Sequence, residues 1–340
     1  TCTRRPKTHF GGKMGQLVTE PGALAQSGST PSRGVHPLNE RARKIERRVT
    51  LTTVLIPYVG LSAGIVLFWN RGVYAIDLAV FAVMYSVTVM GIGMGFHRLI
   101  AHRSFQAVPL LRTTLIILGS MAAQGPVIFW TAIHRRHHSY SDREGDPHSP
   151  HLYGKGSTAI LHGLWHSHMG WLFNHEVTDW GTYVRDLLQD RKIFKLNRLY
   201  FVWIAMGLVI PAAAEGAITR SWMGAGRGFL WGGLIRILIV HHSTWSINSI
   251  CHVFGSRPYQ LKDRSTNNAI LAIPTFGESW HNNHHAFPSS AVHGLEWWQV
   301  DITGTMIRVL QKTGLASEVK IAKKKQIELQ EKSAQESAKA

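Results

Sequence analysis

Cysteine is almost missing from this chain: its 340 residues hold two, Cys2 and Cys251. Cys2 stands in a polar stretch and Cys251 in an apolar one, which excludes a disulfide framework and a thiolate metal site. Acidic residues are scarce as well. Twenty Asp and Glu face 37 Lys and Arg, a formal charge of +17. Charged residues of both signs are 17% of the chain, against 45% hydrophobic. The hydrophobicity is gathered into long runs, and the basic residues lie mostly between them. That pattern suits a membrane protein whose exposed part meets anionic headgroups or an acidic partner; no nucleic-acid partner is expected. Residues 1–40 lack the short apolar core of a cleaved signal peptide. They are rich in Gly, Pro, Ser and Thr and are expected to form a disordered tail. The sequence does not start with Met, and Met14 reads as its natural start, with residues 1–13 upstream of it.

Five apolar stretches are present, roughly 51–69, 73–96, 107–129, 199–218 and 228–250. A helix needs about 20 apolar residues to cross a bilayer. "TLTTVLIPYVGLSAGIVLFWN" makes a first span with Trp69 at an interface, and "VYAIDLAVFAVMYSVTVMGIGMGF" follows after a very short turn. These two form a helical hairpin. "LYFVWIAMGLVIPAAAEGAI" and "FLWGGLIRILIVHHSTWSINSI" form a second. The stretch 107–129 carries Pro109, Arg112, Gln124 and Pro126. If it crossed, "HRLIAH" (97–102) and "HRRHH" (134–138) would lie on opposite faces, and no single metal site could use both. It is therefore read as an interfacial or re-entrant segment, with an ordinary fifth span as the alternative. The basic segment "RARKIERR" (41–48) puts the N-terminus in the cytoplasm by the positive-inside rule, and the Lys-rich C-terminus agrees. The expected fold is an all-α integral membrane protein with four transmembrane helices in two hairpins and a cytosolic helical cap. The membrane domain is placed at 41–315 and a charged C-terminal tail at 316–340.

The plentiful residue is histidine, at twenty. In "HRRHH", His134, His137 and His138 are spaced i, i+3 and i+4, one face of a helix. "HNNHH" repeats the pattern with His281, His284 and His285. "HRLIAH" spaces His97 and His102 five apart, about 140° round an α-helix, which fits a helix end where the chain turns back. Asn248 and His252 are also i, i+4, at the end of the last span. Neutral imidazole is a good ligand for iron, copper and zinc. One metal takes roughly four to six ligands, so eight or nine clustered imidazoles suggest two metals. The other eleven histidines, among them His148, His151, His162, His166, His168, His175, His241, His242 and His293, default to supporting, polar or surface roles.

"GFHRLIAHRSF", "HRRHHSYSDREGDPHSP", "TWSINSICHVFGSRPY" and "ESWHNNHHAFP" together resemble the membrane-bound fatty acid desaturases, and within them the delta-9 acyl desaturases of the stearoyl-CoA type. The resemblance covers about residues 50–315. The three boxes alone are shared with related hydroxylases and ketolases; the "DxxxDPH" and "TWxxNSxxH" stretches are more specific. The resemblance implies a mushroom-shaped helical membrane protein holding two iron ions. Its ligands carry over to His97, His102, His134, His137, His138, His252, His281, His284 and His285, and Asn248 matches the residue that holds a metal-bound water. The acyl chain lies in a bent tunnel whose bend matches Gln124, Trp130 and Thr244, with Trp245 adjacent. One departure stands out. The Arg-Asp pair that precedes the second box in the animal enzymes is Ala132 and Ile133 here, so the acyl carrier is left open between CoA, carrier protein and membrane lipid. The His-Pro-Gly-Gly signature of a fused cytochrome b-type domain is absent, His36-Pro37 being followed by Leu-Asn. Electrons are expected from a separate ferredoxin- or cytochrome b-type protein, acidic in charge.

The implied reaction is removal of hydrogen from an unactivated methylene with O2, by irons supplied with electrons one at a time. Asp142, Glu144 and Asp146 follow the second box and are candidate hydrogen-bond partners of ligand imidazoles. Two other readings stay open. One is a hydroxylase on the same scaffold. The other is a membrane metal transporter, for which Asp77, Arg236, His241 and His242 would mark the path, although His241 and His242 are expected to face the tunnel.

Overall fold

The computed structural model describes residues 34–37, 39–68, 72–174 and 176–339. The tail up to residue 33 with Met14, and also Trp69 and His175, fall outside them. Backbone polar groups in hydrocarbon must be satisfied internally, so long apolar runs wind into helices. Helix α1 (Glu40–Phe68) takes the basic segment and the first apolar run into one continuous element that includes Pro57. Helix α2 (Ala75–Met90) passes without a break into a π-helical stretch, Gly91–Ala101.

Helices α3 (Pro109–Ser120), α4 (Val127–Tyr140) and α5 (Ser157–His168) follow, then the short α6 (Trp180–Tyr183), α7 (Arg185–Gln189) and α8 (Arg191–Arg198). Helix α9 (Tyr200–Thr219) precedes α10 (Trp222–Gly228). From α10 the chain runs on through a second π-helical stretch, Phe229–Ile235, and α11 (Arg236–Ser249) to a 3-10 turn at Ile250–His252. Helices α12 (His281–Ala286), α13 (Ile302–Lys312) and α14 (Lys324–Lys339) complete the chain.

Among the described residues, four helical runs are long and apolar enough to cross a membrane: Glu40–Leu67, Ala75–Ala101, Tyr200–Thr219 and Trp222–His252. They are the four spans expected. The disputed stretch 107–129 is not a fifth. Helix α3 has 12 residues, about 18 Å of helix, and Gly125 at φ +97° with Pro126 ends the run before α4 begins. Helix α3 lies close against the π stretch. A Cβ added at Gly91 would stand 2.2 Å from the Gly119 backbone nitrogen, so only glycine permits that approach.

Asp77, Arg227 and Arg236, charged residues inside the spans, tie helices together. Asp77 pairs with Arg227. Arg236 donates to the carbonyls of Met121 (2.6 Å), Gly207 (2.8 Å) and Gly232 (3.0 Å). These partners account for two of the residues that would have marked a transport path.

Two small antiparallel pairs extend the folded part beyond residues 40 and 315. Strand β1 (Val35–Pro37) pairs with β3 (Glu176–Thr178), with Val35 opposite Thr178. Strand β2 (Gln106–Ala107) pairs with β4 (Ala316–Ser317), and Lys320 N–H then donates to Ser104 O at 2.9 Å. The buried core gathers Phe96, Ile116, Ile128, Ala132, Ile193 and Ile307, with Phe96 beside the first box and Ile128 and Ala132 on the helix of the second.

Candidate metal centre

The local winding of each element aims the histidines. His97 and His102 would diverge on an α-helix. In the π-helical stretch each N–H reaches the carbonyl five residues back, and His102 N–H donates to His97 O at 3.0 Å. Residues five apart therefore align, and the two rings lie 4.8 Å apart. The expected helix end is present, with His102 capping the stretch and Arg103 at φ +50° after it, and the wider winding adds to it in bringing the two rings together. Helix α4 presents His134, His137 and His138, the six-residue α12 presents His281, His284 and His285, and His252 ends the fourth long run.

All nine histidines come together in two groups. His97, His102, His134, His138 and His284 form one; His137, His252, His281 and His285 form the other. Within each group the candidate ligand atoms lie within 4.8 Å of one another. The groups adjoin, with His138 stacked on His285 at 4.5 Å.

Carboxylates stand behind the rings. His137 Nδ1 meets Asp146 Oδ1 at 3.0 Å, His252 Nδ1 meets Asp142 Oδ2 at 2.8 Å, and His285 Nδ1 meets Asp263 Oδ2 at 3.2 Å. His97 Nδ1 is bonded to Glu278. Glu278 also holds the buried Arg98, which reaches Asp301 at 2.9 Å. The candidates Asp142 and Asp146 thus face the site, whereas Glu144 is exposed. Glu278, Asp263 and Asp301 were not singled out from the sequence; the only signal was Glu278, three positions before the third box.

Burial works to raise the Asp142, Asp146 and Asp263 carboxyls. The charge and hydrogen bonds of His252, His137 and His285 outweigh it and hold all three well below the usual range. Burial, aided by neighbouring imidazoles, pushes His102, His134, His138, His281 and His284 well down. Burial also brings His285 to about 4, against the pull of Asp263. Those six lowered rings are held in the neutral state in which imidazole ligates.

The donor set fits a metal ion. A neutral His252 or His285 that gives its Nδ1 proton to the facing carboxylate keeps a bare lone pair on Nε2. Both Nε2 atoms face His281 Nε2, at 3.0 and 3.1 Å. One proton on His281 can serve only one of them, and His137 Nε2 is buried with no partner. In the other group His284 Nε2 meets His97 Nε2 at 3.1 Å and His138 Nε2 at 2.9 Å. Lone pairs converging with too few protons repel, and a cation relieves that. Iron, copper and zinc are the ions that imidazole suits.

A cavity opens onto both groups. His97, His134, His137 and His281 line it, facing Val89, Ile92, Trp130, Thr244, Ile247 and Asn248. Trp130 stacks over His134 at 5.0 Å. Gln124 Nε2 donates to Thr244 Oγ1 at 2.8 Å, and Trp245 is buried beside it against the His241 ring at 4.8 Å. His241 and His242 are not on the lining, contrary to expectation. Residues 243, 244, 247 and 248 of α11 take that face; helical phase turns 242 away from it, and 241 lies about two turns along the helix from 248. His241 Nε2 meets the Ala123 carbonyl at 3.0 Å; His242 meets Tyr58 at 2.7 Å and His168 at 2.9 Å.

The comparisons with known proteins agree with this geometry. A family model described as fatty acid desaturase matches residues 75–312. The chain is 45% identical over 292 residues to a hex-5-enoyl-[acyl-carrier protein] acetylenase of Moorena producens, covering 85% of this chain and 91% of the relative. It is 42% identical over 241 residues to an sn-1 stearoyl-lipid 9-desaturase of Anabaena variabilis, covering 70% and 81%. With an acyl-CoA C20 Delta5-desaturase of Anemone leveillei it shares 36% identity over 248 residues, covering 71% and 72%.

Proposed function

Since the chain belongs to the fatty acid desaturase family and is therefore an oxidoreductase, we propose that its reaction is O2-dependent delta-9 desaturation of a saturated acyl chain. The observation that carries this reading is the shared lining of the cavity, where candidate ligands and the Trp130–Thr244 wall face one space. Two bound irons, held by the five- and four-histidine groups, would supply O2 activation with electrons delivered singly. Overall, the acyl chain loses two hydrogens and O2 takes them up with two electrons and two protons, giving a cis alkene and two waters. Trp130, Gln124 and Thr244 fix a bend in the chain and so present one pair of hydrogens to the oxidant. The apolar walls keep water from the reacting carbons, and Asn248 holds a water at the rim of the site. Asp142, Asp146, Asp263 and Glu278 orient the ligand rings.

The long apolar helices and the basic segment 41–48 support a multi-pass membrane protein with both termini and the metal site on the cytoplasmic side. The electron donor is a separate acidic protein of ferredoxin or cytochrome b type. The relatives differ in carrier, naming acyl-carrier protein, glycerolipid and CoA, so the carrier is a property to measure.

The test is the fatty-acid profile of a host expressing the chain, with double-bond positions assigned. A new cis-9 product is expected, and Trp130→Ala should lower its amount and scatter the position. A hydroxylated product, an alkyne, or unsaturation centred elsewhere would overturn the delta-9 reading while leaving the family intact.

A further inference from the structure

Some exposed apolar surface lies outside the four long helices. The segment "NAILAIPTF" (268–276) connects the histidine at 252 to the third box. Ile270 is 87% exposed and Ile273 58% exposed. Phe254, also exposed, is joined to them through Asn268, whose Nδ2 donates to Phe254 O at 3.1 Å. Such a patch on a water-facing loop would be costly.

Its position explains it. Pro274 O accepts from Tyr85 Oη at 2.5 Å, and the Phe276 ring lies 6.1 Å from Tyr85. Tyr85 in turn stacks on Phe81 at 5.7 Å. Tyr85 stands six positions before the π-helical stretch begins at Gly91, roughly 9 Å along α2, so the loop reaches down into the apolar part of α2. The aromatic surface of a candidate span thus continues into the loop without a break.

The loop backbone suits that depth. Thr275 N–H donates to Leu271 O at 3.0 Å, Gly277 N–H to Ala272 O at 2.8 Å and Phe276 N–H to Ile273 O at 3.1 Å. Asn268 Oδ1 accepts from Leu271 N–H at 3.2 Å. Irregular backbone near lipid is tolerated only where its polar groups are satisfied and its other side is covered. Thr275 and Glu278 supply that cover, since they line the cavity.

We infer that residues 268–276 form a re-entrant loop seated in the bilayer at the headgroup–acyl boundary, with Ile270, Ile273 and Phe254 against lipid acyl chains. One loop then separates the reaction cavity from the membrane, and lipid contact sets the height of the third box. This rests on the membrane reading above.

The experiment places an environment-sensitive fluorophore on Ile270→Cys, in a Cys2→Ser background with the buried Cys251 left in place, in lipid nanodiscs. Val83→Cys on the exposed face of α2 and Glu144→Cys on the cap are labelled as references. Spin-labelled lipids should quench at 270 much as at 83, and aqueous iodide should quench there several-fold less than at 144. Iodide quenching equal to that at 144 would overturn the inference. Shielding from both quenchers would also overturn it, because a second copy or another protein would then cover the patch. Failure of spin-labelled lipid to quench at 83 would bring down the membrane reading along with it. Ile273→Cys repeats the measurement where labelling at 270 disturbs folding.

Discussion

The five- and four-histidine groups share helices α4 and α12, yet their outer hydrogen bonds differ. In the four-histidine group three rings lean on carboxylates, Asp146, Asp142 and Asp263. In the five-histidine group the described residues give a carboxylate to His97 alone, and that one, Glu278, is divided with Arg98. A carboxylate behind an imidazole fixes its tautomer and raises its basicity. One group therefore compensates for fewer ligands with negative charge close by. The other relies on number and on apolar neighbours such as Trp130. Two adjacent cation sites of unequal character follow from that difference.

The severest way to break the comparison is to remove one ligand from each side. His138→Ala and His285→Ala should each bring turnover to background with the fold retained in detergent, and the pair combined should cost little more than either alone. Product assays on the two singles and the double check this. Near-native activity in either single would show that the groups do not act as one centre.

A milder change sharpens the comparison. Asp142→Asn and Asp263→Asn keep shape and remove charge, and should weaken metal retention by about 10- to 100-fold. Graded chelation of reconstituted protein, followed by metal content, reads this directly. The loss should fall on one of two ions, because the five-histidine group keeps its own partners. Removal of both ions together, or no change, would sink the claim that charge distinguishes the two positions.

How much of this could be read from the sequence depends on where each device lies. The boxes on α4 and α12 were legible because i, i+3, i+4 spacing means one face of a helix. The His97–His102 pair was legible as a site and illegible as geometry, because no local pattern announces π winding. Asp142 and Asp146 follow the second box and were found, although only Asp146 serves a ring of that box; Asp142, Asp263 and Glu278 reach His252, His285 and His97 through the fold. The spans followed from hydropathy, and the short α3 from Pro109 and Pro126. The pairing of Val35 with Thr178 left no trace, since two short strands far apart carry no periodicity. His241 and His242 misled for two reasons: helical phase turns His242 off the cavity face, and His241 lies about two turns along the helix from Asn248.

The smallest expected effect is the most exacting for the comparison. Glu144 lies between Asp142 and Asp146 with the same carboxylate chemistry, and composition alone cannot tell the three apart. The turn can. Asp142 takes φ +57° and Gly145 φ +102°, while Arg143 N–H donates to Tyr140 O and Asp146 N–H to Arg143 O. That winding sends residues 142 and 146 inward and 144 out to solvent. Glu144→Gln should therefore leave metal content and turnover within about twofold of the parent, as surface substitutions do, while the same loss of charge at Asp142 is felt strongly. Chelation curves for the two variants, measured side by side, decide between them. If Glu144→Gln matched Asp142→Asn, the retained ion would be responding to the summed charge of the loop, and the hydrogen bond from His252 Nδ1 would not be what distinguishes the four-histidine group.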